Sequence, residues 1–251
     1  MTALGISVED RDGVRHITID RPDKKNAITS AMYAVMADAI DSAAGEEIGV
    51  MLISARGETF TAGNDLRDFL EHPPTGEEAP VFRFLLALAR TDVPLIAAVR
   101  GAAVGIGTTM LLHCDLVYAA PSALFKVPFV ELGLVPENAS SVLLPRTIGR
   151  AHAGAALYLG ETIDAVRACA DGIVTKIVED DELDKTALAA ANAVAAKPRE
   201  AVRATKRLVG HDRAGIIAAL EREGIAFRER LASPEARAAM AAFFQRSTAR
   251  R

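Results

Sequence analysis

Residues 93–107 read Val93-Pro94-Leu95-Ile96-Ala97-Ala98-Val99-Arg100-Gly101-Ala102-Ala103-Val104-Gly105-Ile106-Gly107. The stretch from Val93 to Val99, bounded by Asp92 and Arg100, is an apolar run of strand length. Glycines at 101, 105 and 107 then crowd into a turn that leads into a helix through Leu112, and residues 116–119 return to a strand pattern. Upstream the alternation is the same. Residues 14–20 place Ile17 and Ile19 on one face of a half-buried strand, and Arg21-Pro22-Asp23-Lys24-Lys25-Asn26 is a polar turn. After Ile28 the residues Met32, Val35, Met36, Ala39 and Ile40 recur at helical spacing. Residues 48–54 are a second buried strand, and residues 82–89 a helix with Pro80 suited to its first turn. Strands alternating with helices predict an α/β fold.

Beyond Asp180 the pattern becomes helical. Residues 181–196 are Ala-rich, Pro198 opens a helix through Val209, and Ser233-Pro234-Glu235 is an N-cap followed by proline at the first helical position. No fixed-period repeat or flexible linker separates the two parts. The expectation is one α/β domain with a helical extension that packs on itself or on a neighbouring subunit.

Composition excludes several classes. The 251 residues are 50% hydrophobic and 25% charged, with 29 basic against 33 acidic side chains and a net charge of −4. That balance carries no electrostatic footprint for nucleic acid. Cys114 and Cys169 are too few for a disulfide scaffold. Glu9, Asp10 and Arg11 stand where a secretory signal needs an apolar run, and the longest uncharged stretch, residues 101–114, is too short to span a bilayer. A soluble cytoplasmic protein without membrane or nucleic-acid partners is expected. His16, His72, His113, His152 and His211 form no ligand-spaced pair, and no serine lies in G-x-S-x-G. A zinc enzyme or a serine hydrolase is therefore not expected, and no metal.

Three segments carry candidate chemistry. In Phe60-Thr61-Ala62-Gly63-Asn64-Asp65-Leu66 the small residues let a ligand approach the backbone, where an N–H can meet a developing anion; the same residues also make a tight turn with Asp65 as a helix cap. The 101–107 turn exposes N–H groups at a helix N-terminus, or serves close helix–sheet packing. It is no dinucleotide fingerprint, because the third glycine would fall at Met110. In Pro136-Glu137-Asn138-Ala139-Ser140-Ser141, Glu137 is either a first-turn helix acid or a carboxylate desolvated between apolar runs and poised as a general base.

In order and combination these segments resemble the crotonase family, the enoyl-CoA hydratase/isomerase superfamily. The likeness is carried by Arg21 through Ala27, by F-T-A-G-N-D ending at Asp65, and by G-A-A-V-G-I-G leading to His113-Cys114-Asp115. It continues through residues 125–133, Leu144-Pro145-Arg146, Gly149, Leu159-Gly160 and Asp171-Gly172-Ile173-Val174. The resemblance implies a spiral of ββα repeats over residues 1–195 and a helical oligomerisation region over residues 196–251, forming a homotrimer or a hexamer built as a dimer of trimers.

It also implies the chemistry. A thioester enolate is held by two backbone N–H groups, and position matching puts these on Asn64 and on Ile106, where the family often has glycine. Hydratases of the family use two glutamates, but the matching positions are Thr109 and Phe129, neither of which transfers the required proton. Glu137 instead matches the single glutamate of peroxisomal-type 3,2-enoyl-CoA isomerases, and Val127-Pro128-Phe129-Val130-Glu131-Leu132-Gly133 also resembles that subgroup; Glu131 is a reserve acid with a structural role. Coenzyme A enters as part of the thioester substrate, with no separate cofactor. Its contacts map to Lys24, Lys25, Ala27, Ala62, Gly63, Asp65, Leu66 and Arg67. The basic, aromatic C-terminal signature is partly matched by Phe243-Phe244-Gln245-Arg246. The resemblance thus implies a fatty-acid 3,2-enoyl-CoA isomerase with Glu137 as acid/base; the alternatives are a hydratase, a silent acyl-CoA-binding protein, or another enolate reaction.

Overall fold

In the computed structural model, which describes residues 2–76, 78–210 and 212–249, the two central parallel strands, over residues 50–55 and 95–99, are buried on both faces. Strand β1 (Thr2–Ala3) and β2 (Ile6–Arg11) lead antiparallel into β3 (Val14–Ile19), which pairs in parallel with β4 (Val50–Ala55), matching Val14 with Val50 and Ile19 with Ala55. Next come β5 (Leu95–Val99), β7 (Leu116–Ala119) and β10 (Lys176–Ile177), all parallel, so among the described residues the sheet order is β1-β2-β3-β4-β5-β7-β10. Met51, Ile53, Leu95 and Ala97 face the main core with α1 (Ser30–Ala43) and α3 (Pro80–Arg90). Their alternates Val50, Leu52, Ile96 and Ala98 pack on Leu183, Ala187 and Ala191 of α8 (Leu183–Ala195). Two-sided burial explains why these strands read as unbroken apolar runs rather than alternating ones.

The 101–107 segment is more than a turn. Ala102–Val104 is a strand, β6, parallel to β8 (Leu124–Lys126), which pairs antiparallel with β9 (Ile163–Asp164) in a second small sheet. The helix that follows is short: α4 (Ile106–Thr109) gives way to a 3-10 turn over Met110–His113. Gly101 makes the exit from the main sheet possible, since its φ is 59° and a Cβ there would lie 1.9 Å from the Glu58 carbonyl oxygen.

Between the sheets and the C-terminal region lie α2 (Leu66–Glu71), α5 (Ser140–Ile148), α6 (Arg150–Leu159) and α7 (Ala165–Ala170). The last helices are α9 (Arg199–Val209), α10 (Arg213–Leu231) and α11 (Pro234–Ala249). The extension returns to its own core: α10 packs on α3 and α5, and α11 on the 3-10 turn Val130–Leu132. Ser233 caps α11, its Oγ accepting from the Ala236 N–H at 3.1 Å. His211, the Arg246 side chain, Arg250 and Arg251 lie outside the described residues. Among those described, no helix is long and apolar enough to cross a membrane and no cluster of three metal-ligating side chains occurs.

Gly101→Ala combines a left-handed φ with a clash against backbone, and is expected to destabilise the chain by about 3 kcal/mol. Gly45→Ala, whose Cβ meets nothing nearer than 3.8 Å, should stay within about 0.5 kcal/mol of wild type. Urea unfolding of the two variants tests the difference.

Candidate active site

Backbone hydrogen bonds join the three segments singled out from the sequence. The 21–27 turn is anchored on Asn26, fully buried, whose amide donates to the carbonyls of Arg56 and Thr59 at 2.8 and 2.6 Å. Thr61 Oγ1 donates to Asn26 O at 2.6 Å, and the Ala62 N–H donates to Lys25 O at 3.0 Å. On its other side Thr61 bridges to β6: its N–H donates to Ala102 O and its carbonyl accepts from Val104 N–H, each at 3.0 Å. Gly63 abuts Val104 so closely that a Cβ would sit 2.9 Å from the Val104 carbonyl oxygen, and a Cβ on Gly107 would sit 2.5 Å from Thr61 Cγ2. Close approach therefore requires both glycines.

Asn64 and Ile106 stand on these abutting segments. Among the described residues neither backbone N–H donates to a backbone carbonyl or a side chain. Ile106 opens α4, where the first-turn N–H groups are unpaired by geometry. Such a pair of unsatisfied donors is the equipment of an oxyanion hole.

Glu137 comes to the same place from the loop before α5. It is 6% exposed, and its Oε1 accepts from Thr109 Oγ1 at 2.6 Å, so the last residue of α4 holds the carboxyl. Burial pushes its pKa up from 4.5 to about 8, opposed by the Thr109 hydrogen bond and assisted by the charge of Glu223. Of its two sequence readings, the desolvated carboxylate describes this environment; Glu137 lies outside α5, whose first residue is Ser140. Tyr33, 1% exposed on α1, donates to Asn64 Oδ1, and burial with the nearby Glu137 charge raises its own pKa well above the ordinary value. A cavity of about 350 Å³ borders Tyr33, with Phe69, Pro73, Pro74 and Val81 in its wall.

The remaining candidates fall into two groups. Lys24 and Lys25 are exposed, Ala27 is half-buried, Ala62 is exposed and Gly63 is buried, and backbone hydrogen bonds join the 25–28 segment to Ala62 and Gly63, so the two mapped coenzyme A segments lie side by side. Asp65 is engaged: it caps α2 through the N–H groups of Arg67 and Asp68, and pairs with Arg21 at 2.7 Å. Leu66 and the exposed Arg67 open that helix. Glu131 stands apart, its carboxylate 2.8 Å from Lys126 Nζ, and Phe129 is buried. Sequence reading did not single out Tyr33, the donor role of Thr109, or Glu223. Glu223 alone left a signal, as a carboxylate on the buried stripe of α10.

Comparison with known proteins identifies the family of the chain as a whole. The enoyl-CoA hydratase/isomerase family profile matches residues 9–249. The chain is 33% identical over 249 residues to enoyl-CoA delta isomerase 2 of Rattus norvegicus, covering 96% of this chain and 64% of that one. It is 35% identical over 194 residues to the probable enoyl-CoA hydratase EchA14 of Mycobacterium tuberculosis, covering 76% and 75%. A crystal structure of an enoyl-CoA hydratase/isomerase from Pseudoalteromonas atlantica superposes with TM-score 0.93 at 42% identity, covering 96% and 97%. The chain spans between 53% and 64% of the length of the mammalian delta isomerases it matches. With the profile covering nearly its whole length, and this α/β architecture shared with a solved member, the chain belongs to the enoyl-CoA hydratase/isomerase family.

Proposed function

We propose that the chain is a 3,2-enoyl-CoA isomerase, moving a carbon–carbon double bond of an acyl-CoA from the 3 to the 2 position with Glu137 as its single acid/base. The observation that carries this reading is the buried Glu137 carboxyl held by Thr109, with Thr109 and Phe129 at the positions where the resemblance places the two acids of hydratases. The Glu137 carboxylate removes a proton from the carbon alpha to the thioester carbonyl. The electron pair delocalises into a dienolate whose oxygen takes hydrogen bonds from the Asn64 and Ile106 N–H groups. Glu137 then returns the proton at the gamma carbon, so the proton count is unchanged and no water enters. A carboxyl with a pKa of about 8 is a stronger base than an ordinary glutamate, which suits abstraction from carbon.

The surroundings support a dry reaction. Phe129 and Thr109 offer no base to activate water, and the cavity beside Tyr33 gives the acyl chain an apolar wall. Coenzyme A lies, in this proposal, along the joined surface of Lys24, Lys25, Ala27, Ala62, Gly63, Asp65, Leu66 and Arg67. Assembly as a homotrimer or hexamer and a cytoplasmic location belong to the same proposal; Tyr158, Leu159 and Val166 are large apolar side chains left exposed.

Glu137→Gln is expected to lower isomerisation of a 3-enoyl-CoA by about 100- to 10,000-fold. It should equally suppress exchange of the alpha proton in deuterated water. Undiminished isomerisation in this variant overturns the assignment of the base; efficient hydration of a 2-enoyl-CoA by the wild type supports the hydratase instead. Binding of thioesters with neither turnover nor exchange supports a silent member.

The base must be ionised, so kcat/KM should rise with pH and level off above about 8. Thr109→Val removes a hydrogen bond that favours the carboxylate, and is expected to move that rise to higher pH.

Stability should run the other way. Below pH 4.5 the carboxyl is protonated in folded and unfolded chains alike, whereas between 4.5 and about 8 only the folded chain keeps its proton. Wild-type stability therefore falls as pH rises through this window, by at most about 5 kcal/mol at roughly 1.36 kcal/mol per pH unit. Glu137→Gln lacks this loss, so its melting temperature should gain on wild type from pH 5 to pH 8; parallel melting curves would remove Glu137 as the titrating group.

A further inference from the structure

The helix α10 packs on the core through Ile216, Leu220, Phe227 and Leu231, and Glu223 stands on the same buried stripe at 8% exposure. A carboxylate there needs partners. Among the described residues no lysine or arginine lies within ion-pair distance of it. Its Oε1 instead accepts from the Ser141 N–H at 3.0 Å and from the Ser141 hydroxyl. Its Oε2 has no partner.

Those donors belong to the chain directly after Glu137. Asn138 and Ala139 both adopt left-handed backbone, with φ of 60° and 55°, a conformation that residues with a Cβ hold only when their surroundings impose it. Ala139 is also the N-cap of α5 and has no side-chain oxygen with which to cap it. Glu223, 82 residues away in the chain, supplies the missing cap. Ser140 Oγ secures the near end by donating to Glu137 O at 2.6 Å.

We propose that Glu223 is a positioning residue for Glu137: it holds the left-handed turn that presents the catalytic carboxyl and keeps a second negative charge beside it. The proposal rests on the isomerase reading for its kinetic consequence, though not for its structural one. The ionisable and charged groups around the pair are Tyr33 from α1, His113 from the turn after α4, whose Nε2 donates to Asn138 O at 3.0 Å, and Arg222 beside Glu223 on α10. Burial raises the pKa of Glu223, opposed by its hydrogen bonds from Ser141 and by Arg222, and the Glu223 charge in turn adds to the burial that raises the pKa of Glu137.

Charge and geometry separate in two variants. Glu223→Gln keeps an oxygen for the Ser141 N–H and loses the charge, whereas Glu223→Ala loses both. In the full chain labelled with carboxyl-13C glutamate, with the Glu137 resonance assigned by its loss in Glu137→Gln, Glu223→Gln should move the Glu137 titration midpoint to lower pH by about half a unit or more. An unmoved midpoint overturns the charge coupling, and because this titration needs no turnover, it decides the matter even if isomerase activity is absent. In kinetics, Glu223→Ala should lower kcat by about 10- to 100-fold with KM within about twofold, and Glu223→Gln should restore most of it. Wild-type kcat in Glu223→Ala, or a loss equalled in Leu220→Ala at the same melting temperature, overturns the positioning role. Should Glu223→Ala fail to fold, Ser141→Ala tests the clamp by removing only the hydroxyl donor, with the same fall in kcat expected and an unchanged kcat counting against it.

Discussion

The 2.6 Å hydrogen bond from Thr109 to Glu137 ties together two parts of the chain far apart in function: the short helix α4, which begins at a candidate oxyanion donor, and the loop that delivers the candidate base. Its setting gives it weight. In water a hydroxyl donating to a carboxylate changes little, because water competes for both groups; with Glu137 buried, the Thr109 hydroxyl is the one side-chain hydrogen-bond donor to its carboxyl among the described residues, and the bond works against desolvation. The balance leaves a carboxyl basic enough to take a proton from carbon and still able to ionise near neutral pH. An ion pair with a lysine or arginine would have held it ionised and made it a weaker base.

The backbone around this bond is arranged for approach rather than for stability. Gly63 and Gly107 remove Cβ atoms that would collide with Val104 and Thr61, so that the Asn64 loop and the start of α4 lie against one another. The cost is visible in the N–H groups of Asn64 and Ile106, neither of which donates to a protein acceptor among the described residues. An unsatisfied donor costs about 1–3 kcal/mol when buried, and a fold selected only for stability would pair both. Active sites tolerate such costs because the donors are needed when charge develops on the substrate.

Much of the fold was legible because its elements are long or strongly periodic. β4 and β5 are continuous apolar runs since both faces are covered, and α1, α3 and α8 show their buried faces in their spacing. What escaped notice was short or at an edge. β2, which β1 covers only at Ile6 and Ser7, carries Glu9, Asp10 and Arg11 to solvent, and β6, β8 and β9 have two or three residues each, too few to establish a period. The site divides in the same manner. Glu137 was legible because a carboxylate between apolar runs is costly unless used. The candidate oxyanion donors of Asn64 and Ile106 are backbone groups, which no side-chain chemistry advertises, so only the order of motifs along the chain suggests them. Tyr33 and the donor role of Thr109 depend on contacts between residues 31 and 28 positions apart, so no local pattern contains them.

Glu223 shows how far the Glu137 carboxyl depends on distant chain. The division at residues 195 and 196 separates a spiral from helices expected to build an oligomer, yet the buried carboxylate of α10 caps α5 and holds the turn beside Glu137. A cap supplied by α5 itself would have stabilised the helix locally. Supplied from α10, the same hydrogen bonds form only when the C-terminal helices have docked, so the geometry at Glu137 becomes conditional on a completed fold. In a partly folded chain Glu137 would be exposed to water and would revert toward an ordinary glutamate; tying its turn to α10 confines the raised pKa to the folded protein.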